Sequence, residues 1–191
     1  NTHDWENINI IHLPKNSRTI KKFPCVGYVR NQGIKAATGD YIAFLDGDDL
    51  WSENWLLLAF QAAQRHGENT VLYPEFNWFF ENSNNILIQT DVENAFFDIE
   101  ALRSTNLWDA LCFCPSHIYR SHPFIKRRVA DGFAFEDWHW NKRIFEAGIK
   151  QVVVEDTIIF KRRRAGSQGA KASKRGVIAE PTASSYFDYY K

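Results

Sequence analysis

"YIAFLDGDDLW", Tyr41 to Trp51, runs an apolar stretch into three aspartates, Asp46, Asp48 and Asp49, set around Gly47. The stretch predicts a buried strand, apolar on both faces as in parallel sheets covered by helices. Carboxylates this close repel, so the turn needs a cation, solvent or a bound partner. In open α/β sheets ligands bind beyond the carboxyl ends of strands, where this turn falls. Gly47 permits a tight turn, so Asp46 and Asp48 can address one point. Hard divalent cations want carboxylate oxygens, and Mg2+ is commonly held by one or two carboxylates plus substrate phosphates. The turn offers too few ligands for a closed Ca2+ cage, which points to a diphosphate-bearing substrate sharing the shell. The plainer alternative is a solvated turn capping the next helix, a role open to Asp49.

Outward from the turn, helices and strands alternate. "INIIHL" (8–13) predicts a strand, and "FPCVGYVRNQGIKAATGD" (23–40) a helix starting near Pro24 and ending at Gly39. Ser52 is placed to cap a helix over 53–66 that Gly67 closes. Strands are predicted at 70–80 and 85–90, joined by the turn "ENSN", and at 151–155 and 157–163, with a short helix near Ile99–Leu102 and a longer one from near Phe135. The tail "SSYFDYYK" reads as a closing helix. The expected class is α/β with a mixed sheet flanked by helices.

Composition narrows the functions. The 191 residues balance 23 Lys and Arg against 23 Asp and Glu, so no global field points to nucleic acid or membrane. No apolar run approaches the ~20 residues of a membrane span, and no signal peptide opens the chain. The odd count of cysteines, Cys25, Cys112 and Cys114, lacks framework spacing and suggests reduced thiols in a cytoplasmic compartment. In a strand, "CFC" puts both its thiols on one face, where burial is expected. The chain contains no Met, which suggests an excerpt of a longer protein or unwritten modified residues.

A second carboxylate pair opens "FAFEDWHWNKRIFEAG" (133–148). At 3.6 residues per turn Asp137 projects from the middle of the helix's apolar arc and Glu136 from its edge. A carboxylate centred on a core-facing stripe either caps the helix or lines a cleft. Trp138 and Trp140 stand about 200° apart, so one packs inward and the other is open to sugar stacking, as is Trp51. His139 falls on the polar face and reads as a surface histidine. His117 and His122 have no carboxylate spacing that marks a metal site.

"VGYVRNQGIKAATGDYIAFLDGDDLW" (26–51) resembles the family 2 glycosyltransferases of GT-A fold, with their "RN" helix and acidic DxD motif. The resemblance implies an inverting transfer of sugar from a nucleoside diphosphate-sugar to a hydroxyl of a glycan or lipid-linked acceptor. Carried over, Asp46 lies at the sugar-nucleotide, Asp48 binds Mn2+ or Mg2+, and Arg30 and Asn31 sit near the nucleotide pocket. The family's "ED" pair stands here as Glu136-Asp137, making Asp137 the catalytic base and Glu136 its understudy. The "WHW" that follows departs from relatives and leaves the acceptor open. Family members begin with a "VSVIIPTYN"-like strand and a "DDGS" turn that are absent here. The expectation is a GT-A domain over 1–165 lacking its N-terminal nucleotide-binding strand and helix, followed by a basic mobile loop and tail over 166–191.

"KRRRAGSQGAKASKR" (161–175) carries seven bases and no acid. A nucleic-acid patch is disfavoured by the neutral overall charge. A lid whose bases meet the donor diphosphate fits better, with one of Arg162 and Arg163 facing the cleft because strand residues alternate. Two other functions remain open: a haloacid dehalogenase-type phosphohydrolase, although Leu50 stands where Thr or Val is expected, and a non-catalytic sugar- or metal-binding module. The resemblance places the protein in the cytoplasm, in surface glycan synthesis, with peripheral association at the inner membrane face through parts outside this chain.

Overall fold

The structure is a computed structural model that describes residues 8–13, 26–164, 174 and 176–182. Pro24, Cys25, most of the basic segment after Arg164 and the tail "SSYFDYYK" lie outside the described residues. Six strands form one mixed sheet in the order β1-β5-β3-β7-β2, with β4 added alongside β3. They are β1 (Tyr41–Ala43), β2 (Leu50–Trp51), β3 (Thr70–Glu81), β4 (Asn85–Ile88), β5 (Phe113–Pro115) and β7 (Lys150–Arg163). The long strands β3 and β7 pair in parallel and every other pair in this sheet is antiparallel. A second, two-stranded sheet pairs β6 (Phe133–Ala134) with β8 (Ile178–Ala179).

Side-chain alternation sorts the core into two layers. Leu72, Phe113, Val152 and Val154 face helix α2 (Trp55–His66), which offers Trp55, Ala59, Ala62 and Ala63, a stripe at helical spacing. Val71, Tyr73, Cys112 and Cys114 face the other way, toward α1 (Val26–Ala36), α3 (Ala101–Ser104), α4 (Ser116–Ser121) and α5 (Glu136–Glu146). Both "CFC" thiols are buried on one face, as alternation predicts. Gly27 lets α1 approach closely: a Cβ there would stand 2.8 Å from the Ile125 carbonyl and 3.2 Å from Glu136 Cγ. That approach brings α1 against the start of α5.

Several local expectations are corrected. The apolar run before the acidic turn is a three-residue strand at the sheet's edge, antiparallel to β5 and fully buried only at Ile42. The register continues one residue further, where the Phe44 N–H donates to the Cys112 carbonyl at 3.4 Å and the Phe44 ring packs edge-on against Tyr119. Residues 8–13 form no strand. The predicted strands 151–155 and 157–163 are one strand, bent where Asp156 adopts φ 60° opposite an irregularity between Pro74 and Phe76. Ser52 does not cap α2. Its hydroxyl accepts the Ile158 N–H at 3.0 Å and so pins β2 to β7. Asp49 likewise leaves the helix alone and bonds to β7. His139 is 6% exposed, not on the surface, because α5 is covered on its polar side as well and also buries Asn141 and Lys142.

Candidate active site

Arg30 joins the two carboxylate motifs. Its guanidinium, buried on α1, donates to both oxygens of Asp46 at 3.2 and 3.3 Å and stands 3.8 Å from Glu136 at the start of α5. Phe44 and Phe124 flank it at 5.9 and 5.6 Å, a setting that favours a cation over an aromatic face. Asn31 spends its amide on the backbone of Phe124, donating to the carbonyl at 2.8 Å and accepting the N–H at 3.0 Å. It thereby fixes the loop against which Arg30 packs.

At the second motif Phe135 takes a left-handed backbone, φ 60° and ψ 58°, and α5 starts at the next residue. A non-glycine residue in that region costs energy and marks a turn held by its surroundings. Glu136 is 2% exposed and is paired to Arg127 as well as Arg30. Asp137 is partly accessible and accepts from Asn106 Nδ2 at 3.3 Å. Asn106 is itself held by Asn141, whose amide also donates to the Trp108 carbonyl, both at 2.8 Å. Burial, followed by the charges of Glu136 and Asp109, pushes the Asp137 carboxyl up to about 6, against the opposing pull of Arg30 and Arg127. A carboxylate poised there accepts a proton near neutral pH.

The acidic turn opens onto a shallow concavity of about 620 Å³ lined by Gly47, Asp48, Asp49, Leu50, Phe80, Glu81 and Arg162. Asp48 is partly exposed and pairs with Arg164. Arg162 pairs with Glu81 at the rim, whereas Arg163 lies over the Phe79 ring at 4.1 Å. Of the two, Arg162 lines the concavity, as strand alternation predicts for one of them. Asp49 is buried beside Lys161 at 3.3 Å. Trp140 stacks on Tyr119 and Phe124 in the core, while half-buried Trp138 donates to the Leu102 carbonyl at 2.7 Å. Trp51 packs on the α2 core layer.

A family model described as glycosyl transferase family 2 matches residues 3–128, more than half of the chain. The chain belongs to glycosyl transferase family 2. It is similar to glycosyltransferase GlyG of Streptococcus pneumoniae, with 25% identity over 149 residues that cover 72% of this chain and 48% of GlyG. The crystal structure of S. aureus TarS 1–349 matches 78% of this chain and 48% of that one, with a TM-score of 0.52 at 14% identity. That likeness supports the GT-A-like mixed α/β fold. The chain spans about half the length of the proteins it matches.

Family 2 membership favours the glycosyltransferase reading over a phosphohydrolase. The family match ends before Glu136-Asp137, so their roles rest on geometry and on the earlier resemblance. Among the described residues no group of three or more His, Cys, Asp or Glu side chains gathers as a metal cage. Asp48, partly exposed and paired at Oδ2 with an exposed arginine, nevertheless suits a hard cation completed by phosphate once Arg164 gives way. Asp46 fits less directly, since Arg30 takes both its oxygens. Asp109 and Arg127 were not singled out by sequence, and Lys161 and Arg164 entered only as members of the basic segment 161–175.

Proposed function

We propose that this chain transfers a glycosyl group, with inversion, from a nucleoside diphosphate-sugar to a hydroxyl of a glycan or lipid-linked acceptor in surface glycan synthesis. The supporting observation is Arg30 lying between Asp46 and Glu136, which brings motifs separated by some 90 residues of sequence to one site. Asp137, raised to about 6 and partly accessible, takes the proton from the acceptor hydroxyl as that oxygen attacks the anomeric carbon. Asp48 is the residue to hold Mn2+ or Mg2+, which when bound supplies charge stabilisation to the departing diphosphate. Arg162 at the rim of the concavity adds positive charge on the same side. Arg30, donating to both oxygens of Asp46, orients that carboxylate toward the sugar-nucleotide.

A thermal-shift screen of nucleoside diphosphates and their sugars, with and without Mn2+, tests the shared coordination shell. Stabilisation that requires nucleotide and metal together supports the proposal. Donor hydrolysis retained in Asp137→Ala but lost in Asp48→Ala supports the separate roles. No donor or metal binding at all leaves a non-catalytic module or an incomplete fragment.

A further inference from the structure

Lys161 occupies a place that the reaction as derived above does not use. Its side chain is 12% exposed, and its ammonium lies 2.9 Å from Asp109 Oδ2 and 3.3 Å from Asp49 Oδ2. It donates to Asp109 Oδ1 at 3.0 Å. Both carboxylates are further anchored to backbone. Asp49 Oδ1 accepts the Arg162 N–H at 2.9 Å, and Asp109 Oδ1 accepts the Leu111 N–H at 3.1 Å. The Asp49 N–H donates to the Asp46 carbonyl at 3.0 Å, closing the acidic turn. The Asp109 N–H donates to Gln89 Oε1 at 3.0 Å, fixing the loop that also carries Asn106, the donor to Asp137. One ammonium thus ties the acidic turn, the end of β7 and the loop behind the base.

Burying a lysine between two carboxylates is a poor way to gain stability. Apolar groups of similar volume stabilise as well or better, so a buried ion triad is weak evidence for a stability role. What the triad gives is geometry: the turn can move only if Lys161 gives up a carboxylate in a dry site. We propose that Lys161 is a positioning residue that fixes the acidic turn so that Asp48 presents its oxygens to the cation and diphosphate. This inference rests on the reading of that turn as the donor site. It adds Asp49 and Asp109 as the groups through which Lys161 acts, and neither needs to touch the donor.

The test uses the 191-residue chain and titrations with Mn2+ alone and with Mn2+ plus UDP, GDP or dTDP, followed by calorimetry. Lys161→Met leaves two buried carboxylates facing each other and lowers the Tm. Adding Asp109→Asn removes one of the two uncompensated charges and recovers part of the lost Tm. If Lys161 positions the turn, the double variant still binds Mn2+ with nucleotide at least tenfold more weakly than wild type. Hydrogen exchange then rises at residues 46–50 and stays unchanged along β3. Wild-type affinity in the double variant overturns the inference and leaves Lys161 a structural residue. Should the double variant fail to fold, Asp49→Asn decides, because it keeps the acceptor for the Arg162 N–H and leaves Lys161 paired with Asp109. Tenfold weaker binding in that variant supports positioning, and unchanged binding overturns it. Absence of binding in the wild type is a different outcome: it refutes the donor-site reading itself, and the Lys161 role falls with it.

Discussion

The acidic turn and the start of α5 both set carboxylates against arginines, yet they are built to opposite ends. At the turn, Asp46 and Asp48 stand at the protein surface, and Asp48 is paired with an arginine that is itself more than half exposed. At α5, Glu136 is closed between two arginines and Asp137 lies against Asn106. Exposed pairs contribute little and exchange partners readily, whereas buried ones are costly to break. The turn therefore suits a site that trades an arginine for a cation and phosphate, and the helix start suits a fixed proton acceptor.

The sharpest way to break this contrast is Asp137→Asn. If Asp137 is the base, the variant loses about 10²- to 10⁴-fold in transfer rate while donor binding persists. The wild-type rate falls as pH drops below about 6, where the carboxyl holds its proton. Stability moves the other way. Because the folded-state value lies above the usual 3.8, the folded protein binds more protons than the unfolded chain between about 4 and 6 and loses stability as pH rises through that window. Asp137→Asn therefore raises the unfolding free energy at pH 7.5 by roughly 1–3 kcal/mol, and the gain fades toward pH 4. A variant that is inactive and also less stable at pH 7.5 contradicts the role assigned here.

Glu136→Gln tests the closed pair from its other member. Neutralising it removes the buried carboxylate that Arg30 and Arg127 share, Arg30 keeping Asp46, at a cost of up to about 3–5 kcal/mol in chemical denaturation. The matching change at the turn, Asp48→Asn, costs under ~1 kcal/mol and is read instead as lost metal-dependent donor binding. Equal stability losses at the two positions would erase the distinction between a fixed and an exchangeable site.

The two regions also differed in how far sequence could read them. Asp137 stood out because a carboxylate on an apolar arc is a local anomaly, and the α1 and α2 helices followed from spacing. Arg30 was legible only through the family's "RN" pair, and Asp109 and Lys161 look ordinary among their neighbours. Their meaning lies in contacts that span 16 residues for Arg30–Asp46 and 52 for Asp109–Lys161, which no local pattern records. The edge strand β1 was misjudged for a related reason. An apolar run fixes burial on average but not whether the chain stays in the ladder. His139 was misjudged because helical periodicity assumes one face meets water, whereas α5 is covered on both sides.

That buried histidine gives a smaller effect of opposite sign to Asp137. Burial, then the nearby charges of Lys142 and Arg143, lower His139 to about 3. The unfolded chain binds its proton from about 6.5 downward, so stability is lost as pH falls from 6.5 toward 3. By pH 5 this amounts to about 2 kcal/mol, and His139→Leu removes that slope while also removing a buried Nδ1 that has no hydrogen-bond partner among the described residues. Urea midpoints at pH 7.5 and 5 in wild type and variant check it. A variant with the wild-type slope would place the acid sensitivity elsewhere.

The smallest effect sharpens the contrast most. Arg164 is the partner that Asp48 must give up if a cation is to bind. Because the arginine is 55% exposed, Arg164→Ala changes folding stability by under ~1 kcal/mol. The same substitution removes a competitor from the carboxylate, so Mn2+ added without nucleotide binds a few-fold more tightly than to wild type. With nucleotide present the sign reverses if the released guanidinium meets the diphosphate, since the ternary complex then loses a donor. Calorimetry with Mn2+ alone and with Mn2+ plus nucleotide separates the two. Weaker binding of the bare metal would mean that Arg164 orders Asp48 for the cation instead of competing with it, and the turn would then resemble the fixed pair at α5.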